Sequence, residues 1–89
     1  MNKTIKDPFT AKYPVLDIHG ETTLTCIAPI DSFIKDNIKL KKPNIIIIHG
    51  KGTGALKKAV HEYLNKDKRV KKYYIDGLND GQTIIELNK

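Results

Sequence analysis

Four consecutive isoleucines, Ile45 to Ile48, run directly into His49-Gly50-Lys51-Gly52-Thr53-Gly54. A segment that is β-branched and apolar on both faces fits a buried central strand. Three glycines within five positions end it. Leu56, Ala59, Val60, Tyr63 and Leu64 then recur at helical spacing on one face. The stretch therefore predicts a strand, a glycine turn and a helix. Glycine admits positive φ and lets a ligand approach bare amides. The helix start adds unpaired N–H groups and the positive end of the helix dipole. That combination suits an anion, phosphate being the common one.

The rest of the chain arranges itself around this unit. Residues 1–12 are polar and without period, and read as a flexible N-terminal arm; residues 13–89 read as the domain. Val15 to His19 alternates, with Leu16 and Ile18 on one side and Asp17 and His19 on the other. Threonines 22, 23 and 25 are candidate N-caps for a helix striped by Cys26, Ile30, Phe33, Ile34 and Ile38. Pro29 implies a late start or an irregular first turn. Pro43 places the helix end near Leu40 to Lys42. Val70 to Asp76 has strand preference, residues 77–81 form a turn, and Thr83 to Leu87 is a last strand. In that strand Thr83, Ile85 and Leu87 share one face. The order is βαβαββ: a two-layer α/β sandwich, with a mixed four-stranded sheet and two helices on one face.

Eighty-nine residues leave room for one small core. Sixteen basic against ten acidic residues give a net charge of +6. Seven of the basic residues fall between positions 57 and 72: Lys57, Lys58, Lys66, Lys68, Arg69, Lys71 and Lys72. Lys35, Lys39, Lys41 and Lys42 form a second cluster. Such charge favours a polyanion, and Lys57, Lys58, Arg69, Lys71 and Lys72 are the candidate nucleic-acid contacts. A solvated lysine surface is the alternative. The single cysteine, Cys26, excludes an internal disulfide and Cys-based zinc sites. No apolar run approaches the ~20 residues of a membrane span. The N-terminal residues lack an apolar signal core, so a cytoplasmic protein is the default expectation.

Ligands of parallel α/β sheets gather at the carboxyl ends of strands. Both strand-to-helix junctions here have one form: Asp17-Ile18-His19-Gly20 and His49-Gly50-Lys51-Gly52. Neighbouring strands would bring Asp17, His19, His49 and Lys51 together. Two imidazoles and a carboxylate supply general acid and base. Gly50, Lys51, Gly52, Thr53 and Gly54 would cradle phosphate and steady a phosphorane. Alternatively, each histidine ends its strand and bonds a backbone carbonyl. A Walker P-loop is absent. Gly50-x-Gly52-x-x-Ala55 also fits a dinucleotide fingerprint, on a chain too short for a Rossmann domain plus a catalytic domain. The spacing of Asp17, His19 and His49 matches no standard zinc motif, so no metal ligand is assigned, and a divalent ion such as magnesium stays open as a cofactor. His61 reads as a surface residue. Of Tyr73 and Tyr74, one reads as core and the other as a residue that could stack on a base.

Leu16-Asp17-Ile18-His19-Gly20 resembles the LDLHG motif of the Smr (small MutS-related) domain, and Ile48 to Leu56 closely resembles its IIHGKGTGAL motif. Val70 to Tyr73 and Thr83 to Leu87 are similar to its closing strands, so the likeness runs from about Tyr13 to Leu87. The resemblance implies a βαβαββ sandwich similar to the C-terminal domain of translation initiation factor three. It implies nucleic-acid binding and, in some members, nicking of DNA or cleavage of RNA. The family's Asp-x-His pair and HGxG turn map onto Asp17, His19, His49, Gly50 and Gly52. A non-catalytic DNA- or RNA-binding module, such as the C-terminal domain of a MutS paralogue, is the other reading. A monomer with a MutS-type or ribosome-associated partner completes the expectation. Two departures stand out: the loop before the last strand is only Asn79-Asp80-Gly81-Gln82-Thr83, short of the family's glycine-rich form, and Pro29 lies within the first helix.

Overall fold

The structure, a computed structural model, describes residues 12–88. Apart from Lys12, the expected N-terminal arm lies outside the described residues. The elements are β1 (Val15–Asp17), α1 (Ile27–Lys39), β2 (Asn44–Ile48), α2 (Ala55–Lys66), β3 (Val70–Asp76) and β4 (Asn79–Leu87). The sheet order is β1-β2-β4-β3. β1 pairs parallel with β2, and β4 pairs antiparallel with both β2 and β3. The last strand thus inserts beside β2 at the centre, and the α2 crossover spans it.

One face of the sheet carries the core. Ile18, Ile45, Ile47, Ile85 and Leu87 meet Cys26, Ile30 and Ile34 before and on α1, and Val60 and Leu64 of α2. Burying each such aliphatic side chain contributes about 1.5–3 kcal/mol. Odd-numbered residues of β2 and β4 face the helices, as period-two alternation requires. Among the described residues no helix is long and apolar enough to cross a membrane.

Pro29 is accommodated because it occupies the third position of α1, where a backbone N–H would have no intrahelical partner. The threonines do not cap α1, whose N-cap is Cys26 without a side-chain hydrogen bond. They cap the preceding turn. Thr22 N–H donates to Thr25 Oγ1 (2.9 Å), and Thr25 N–H donates to Thr22 Oγ1 (3.0 Å). Local hydroxyl-to-backbone bonds competed successfully with the helix start. At the other end, Lys41 takes a positive φ of 58°, and Lys42 N–H reaches back to the Asn37 carbonyl at 2.9 Å. This closes the helix in Schellman fashion.

β4 begins at Asn79, earlier than the expected Thr83, because Gly77-Leu78 closes a two-residue hairpin with Asp76 opposite Asn79. The ladder is irregular between that pair and Ile75–Thr83. The irregularity brings Gly81 against the glycine turn, where its carbonyl accepts from the N–H groups of His49 (3.0 Å) and Gly50 (2.9 Å).

Candidate functional site

β1 stops at Asp17, and its carboxylate turns back on the next residues. Oδ1 accepts the backbone N–H of His19 at 3.0 Å and faces His19 Nδ1 at 2.5 Å. The His19 ring bond, followed by the backbone N–H, holds the Asp17 carboxyl below its usual range. An ionised Asp17 makes Nδ1 the protonated nitrogen of a neutral His19, which leaves a lone pair on Nε2. The His19 side chain is 69% exposed, so that lone pair is open to a ligand. Behind the pair lies Gly50, where a Cβ would sit 3.5 Å from the Cβ of His19.

The glycine turn follows β2 as anticipated. Gly50 and Gly54 take φ of 81° and 85°, values costly for any residue with a Cβ. Gly54 is the N-cap of α2, it caps without a side chain, and the first turn contains no acidic residue. The Ala55 N–H donates to Thr53 Oγ1 at 3.3 Å, and the rest of the first turn keeps the helix start's attraction for an anion. A cleft of about 290 Å³ opens here, lined by residues 49–57 on one side and by Glu21, Thr22 and Thr23 on the other. Lys51 reaches over to Asp80, with Nζ 3.4 Å from Oδ1 on exposed ground. A pair so exposed is weak.

His49 has different surroundings. It is buried, and both ring nitrogens are engaged: Nδ1 with the Gly50 carbonyl at 3.0 Å and Nε2 with Thr83 Oγ1 at 2.8 Å. Its ring lies on the helix-covered side of the sheet, with Ile45 and Ile47. Asp17 alternates with Leu16 and Ile18 and so lies on the open side. The sequence reading put both imidazoles into one pocket; the structure sets Asp17, which holds His19, and His49, which binds Thr83, on opposite sides of the sheet. The pleat is the reason: Asp17 pairs with Ile48, one residue short of His49.

His61 also departs from expectation. It is not a surface residue but faces the sheet, with Nε2 2.7 Å from Thr83 Oγ1. Its ring centroid lies 6.0 Å from that of His49 and 5.0 Å from that of Tyr73. Burial, followed by the charges of His49 and Lys57, lowers its pKa from the ordinary value. Thr83, His61 and Gly81 were not selected from the sequence. A polar Thr83 on the apolar face of Ile85 and Leu87 was the available signal.

The basic residues do not form one surface. Lys57 and Lys58 belong to α2, and Lys57 lines the cleft. Lys71 and Lys72 lie on β3 at a register shift, which lets both reach Glu86, at 3.5 and 3.7 Å. Arg69 is spent within the domain: its guanidinium binds Asp67 and Asp31, each at 2.7 Å, and the Tyr63 hydroxyl at 3.2 Å. These carboxylates raise the Arg69 pKa, and Arg69 holds the Asp67 carboxyl low. Among the described residues no three His, Cys, Asp or Glu side chains gather to hold a metal ion. Asp17 and His19 offer two donors, so a divalent ion there would draw its other ligands from phosphate and water.

The comparisons with known proteins agree with this fold. The Smr domain profile matches residues 16–88. The chain is 39% identical over 79 residues to the Endonuclease MutS2 of Symbiobacterium thermophilum, covering 85% of this chain and 10% of that protein. It is 41% identical over 75 residues to the Endonuclease MutS2 of a Geobacillus species, covering 81% of this chain and 10% of that protein. The chain thus spans about a tenth of the length of these relatives. The crystal structure of the Smr domain of Thermus thermophilus MutS2 superposes with a TM-score of 0.83 at 29% identity, over 85% of this chain and 99% of that one. YdaL, a stand-alone small MutS-related protein from Escherichia coli, shares the fold, with a TM-score of 0.82 at 24% identity over 91% of this chain and 71% of that one. A match over nearly all the described residues, with the Asp-x-His strand end and the glycine turn both in place, makes this chain a member of the Smr domain family.

Proposed function

We propose that this domain binds DNA or RNA and cleaves phosphodiester bonds, with Asp17 and His19 as the reacting pair and residues 50–54 as the phosphate cradle. The observation that carries the reading is the exposed His19 imidazole, clamped by Asp17 and backed by Gly50 at the entrance to the glycine turn. His19 Nε2 accepts a proton from the attacking hydroxyl or water. Asp17 stabilises the imidazolium that results. Lys51 and the amides of the turn and the α2 start carry the charge that develops on the phosphorane and the departing oxygen. His49, with both nitrogens engaged inside the domain, holds the turn in shape. Lys57, Lys58, Lys71 and Lys72 attract the polyanion, while Arg69 is kept for internal pairing. The endonuclease name of the MutS2 relatives supports cleavage, and a cytoplasmic monomer recruited by a MutS-type or ribosome-associated partner goes with this reading.

The second reading is a binding module without chemistry. One observation favours it: among the described residues, His49 has both ring nitrogens engaged, and of the two anticipated imidazoles His19 alone keeps a nitrogen without a partner. Nicking of supercoiled plasmid and cleavage of single-stranded RNA separate the readings. Wild type should cut, and His19→Ala should lose about 10²–10⁴-fold in rate, the usual contribution of a general base. Steep salt-dependent binding with no cutting by wild type would select the binding module.

A further inference from the structure

A hydrogen-bonded chain runs beneath α2 that the cleavage chemistry leaves unused, and its direction follows from elementary valence. The Gly50 carbonyl can only accept, so His49 Nδ1 carries the proton there. In the neutral ring Nε2 then holds a lone pair, and the Thr83 hydroxyl must donate to it. The Thr83 oxygen in turn accepts from His61 Nε2–H. Donation therefore runs from His61 through Thr83 and His49 to Gly50. The tilted contact with Tyr73 and the edge contact between the two imidazoles restrain rotation of both rings.

The chain ends on the residue that opens the glycine turn. Gly50 is held at both of its backbone polar groups by β4. Its N–H goes to the Gly81 carbonyl, and its C=O is reached from Thr83 through His49. The orientation of that peptide sets where the following amides point, because Gly50 at φ 81° has no Cβ to restrict it.

We propose that Thr83 and His61 are positioning residues for the glycine turn. Through His49 they lock the Gly50 carbonyl so that the amides of residues 51–54 face an incoming phosphate. Neither touches the phosphate. The assignment of an anion to those amides rests on the function proposed above; the locking itself does not.

The test has two arms. Ring-nitrogen NMR of the phosphate-free protein at mildly alkaline pH should show His49 protonated at Nδ1 and His61 protonated at Nε2. Inorganic phosphate titrations and amide hydrogen exchange are then followed at residues 50–54 in wild type, Thr83→Ser and Thr83→Val. Thr83→Ser keeps the hydroxyl and should match wild type. Thr83→Val keeps the shape but not the hydroxyl; it should bind phosphate about tenfold more weakly and exchange faster in the turn, with α2 unchanged. His61→Phe should follow Thr83→Val. The opposite tautomers, or a Thr83→Val protein with wild-type affinity and turn exchange, would overturn the proposal. If wild type binds no phosphate, the cradle reading fails. Tautomers and local exchange then still decide whether the turn is locked in this way.

Discussion

The two His-Gly junctions of this domain are near copies in sequence and opposites in structure. At the first, His19 stands exposed and its one described side-chain partner is a carboxylate. At the second, His49 is buried and gives one nitrogen to a carbonyl and the other to a hydroxyl. A histidine held by a carboxylate and open to solvent is equipped to exchange protons. A histidine enclosed by neutral partners is equipped to hold a shape. The same dipeptide thus leaves one imidazole accessible and encloses the other, and Gly50, against the Cβ of His19, joins them.

Substitutions can sharpen or break this contrast. The largest effect is expected from Asp17→Asn, which keeps the shape and removes the charge. Cleavage should fall about 10²-fold or more, with thermal stability close to wild type. Wild-type turnover in that variant would end the assignment of the pair. His49→Ala should show the reverse emphasis. Loss of a buried, doubly bonded ring is expected to cost about 2–3 kcal/mol in denaturant unfolding. A loss comparable to that of an exposed residue would place His49 among the reacting groups instead. Gly50→Ala should cost about 1–2 kcal/mol because of its positive φ, whereas Gly52→Ala, with no close neighbour and no positive φ, should cost less.

The smallest effect concerns pH. Burial, then the charges of His49 and Lys57, hold His61 below its ordinary 6.5 in the folded chain. The unfolded chain therefore takes up the proton first. The stability His61 contributes is complete above about 6.5 and is lost as pH falls through the range below it. Melts should show a shallow decline there that His61→Gln flattens. Asp17 and Asp67 are also lowered, from 3.8, and act in a separate window: their contribution is present above that value and disappears in stronger acid. A decline below pH 6.5 that persists in His61→Gln would assign the sensitivity elsewhere.

Much of the fold was legible because its signals are local. The isoleucine run, the glycine turn and the stripe of α2 each fall within a few residues. The alternation that puts Thr83, Ile85 and Leu87 on one face of β4 matches the structure, which shows that face turned inward. The capping role of the threonines was misplaced, since a hydroxyl can satisfy a turn as readily as a helix end. His61 was misread because a helical wheel shows only a position at the edge of the apolar stripe. It cannot show that a threonine from β4 waits opposite.

Sequence by itself determined the order of elements, the family, the glycine turn and the Asp17–His19 pair, because neighbours along the chain interact whatever the rest of the molecule does. Tertiary structure decided that β4 enters between β2 and β3, and thereby which histidine is enclosed. It also divided the lysines between α2 and β3, and it consumed Arg69 in an internal cluster. Those outcomes depend on contacts between residues such as Thr83 and His49, 34 positions apart, that no local pattern specifies.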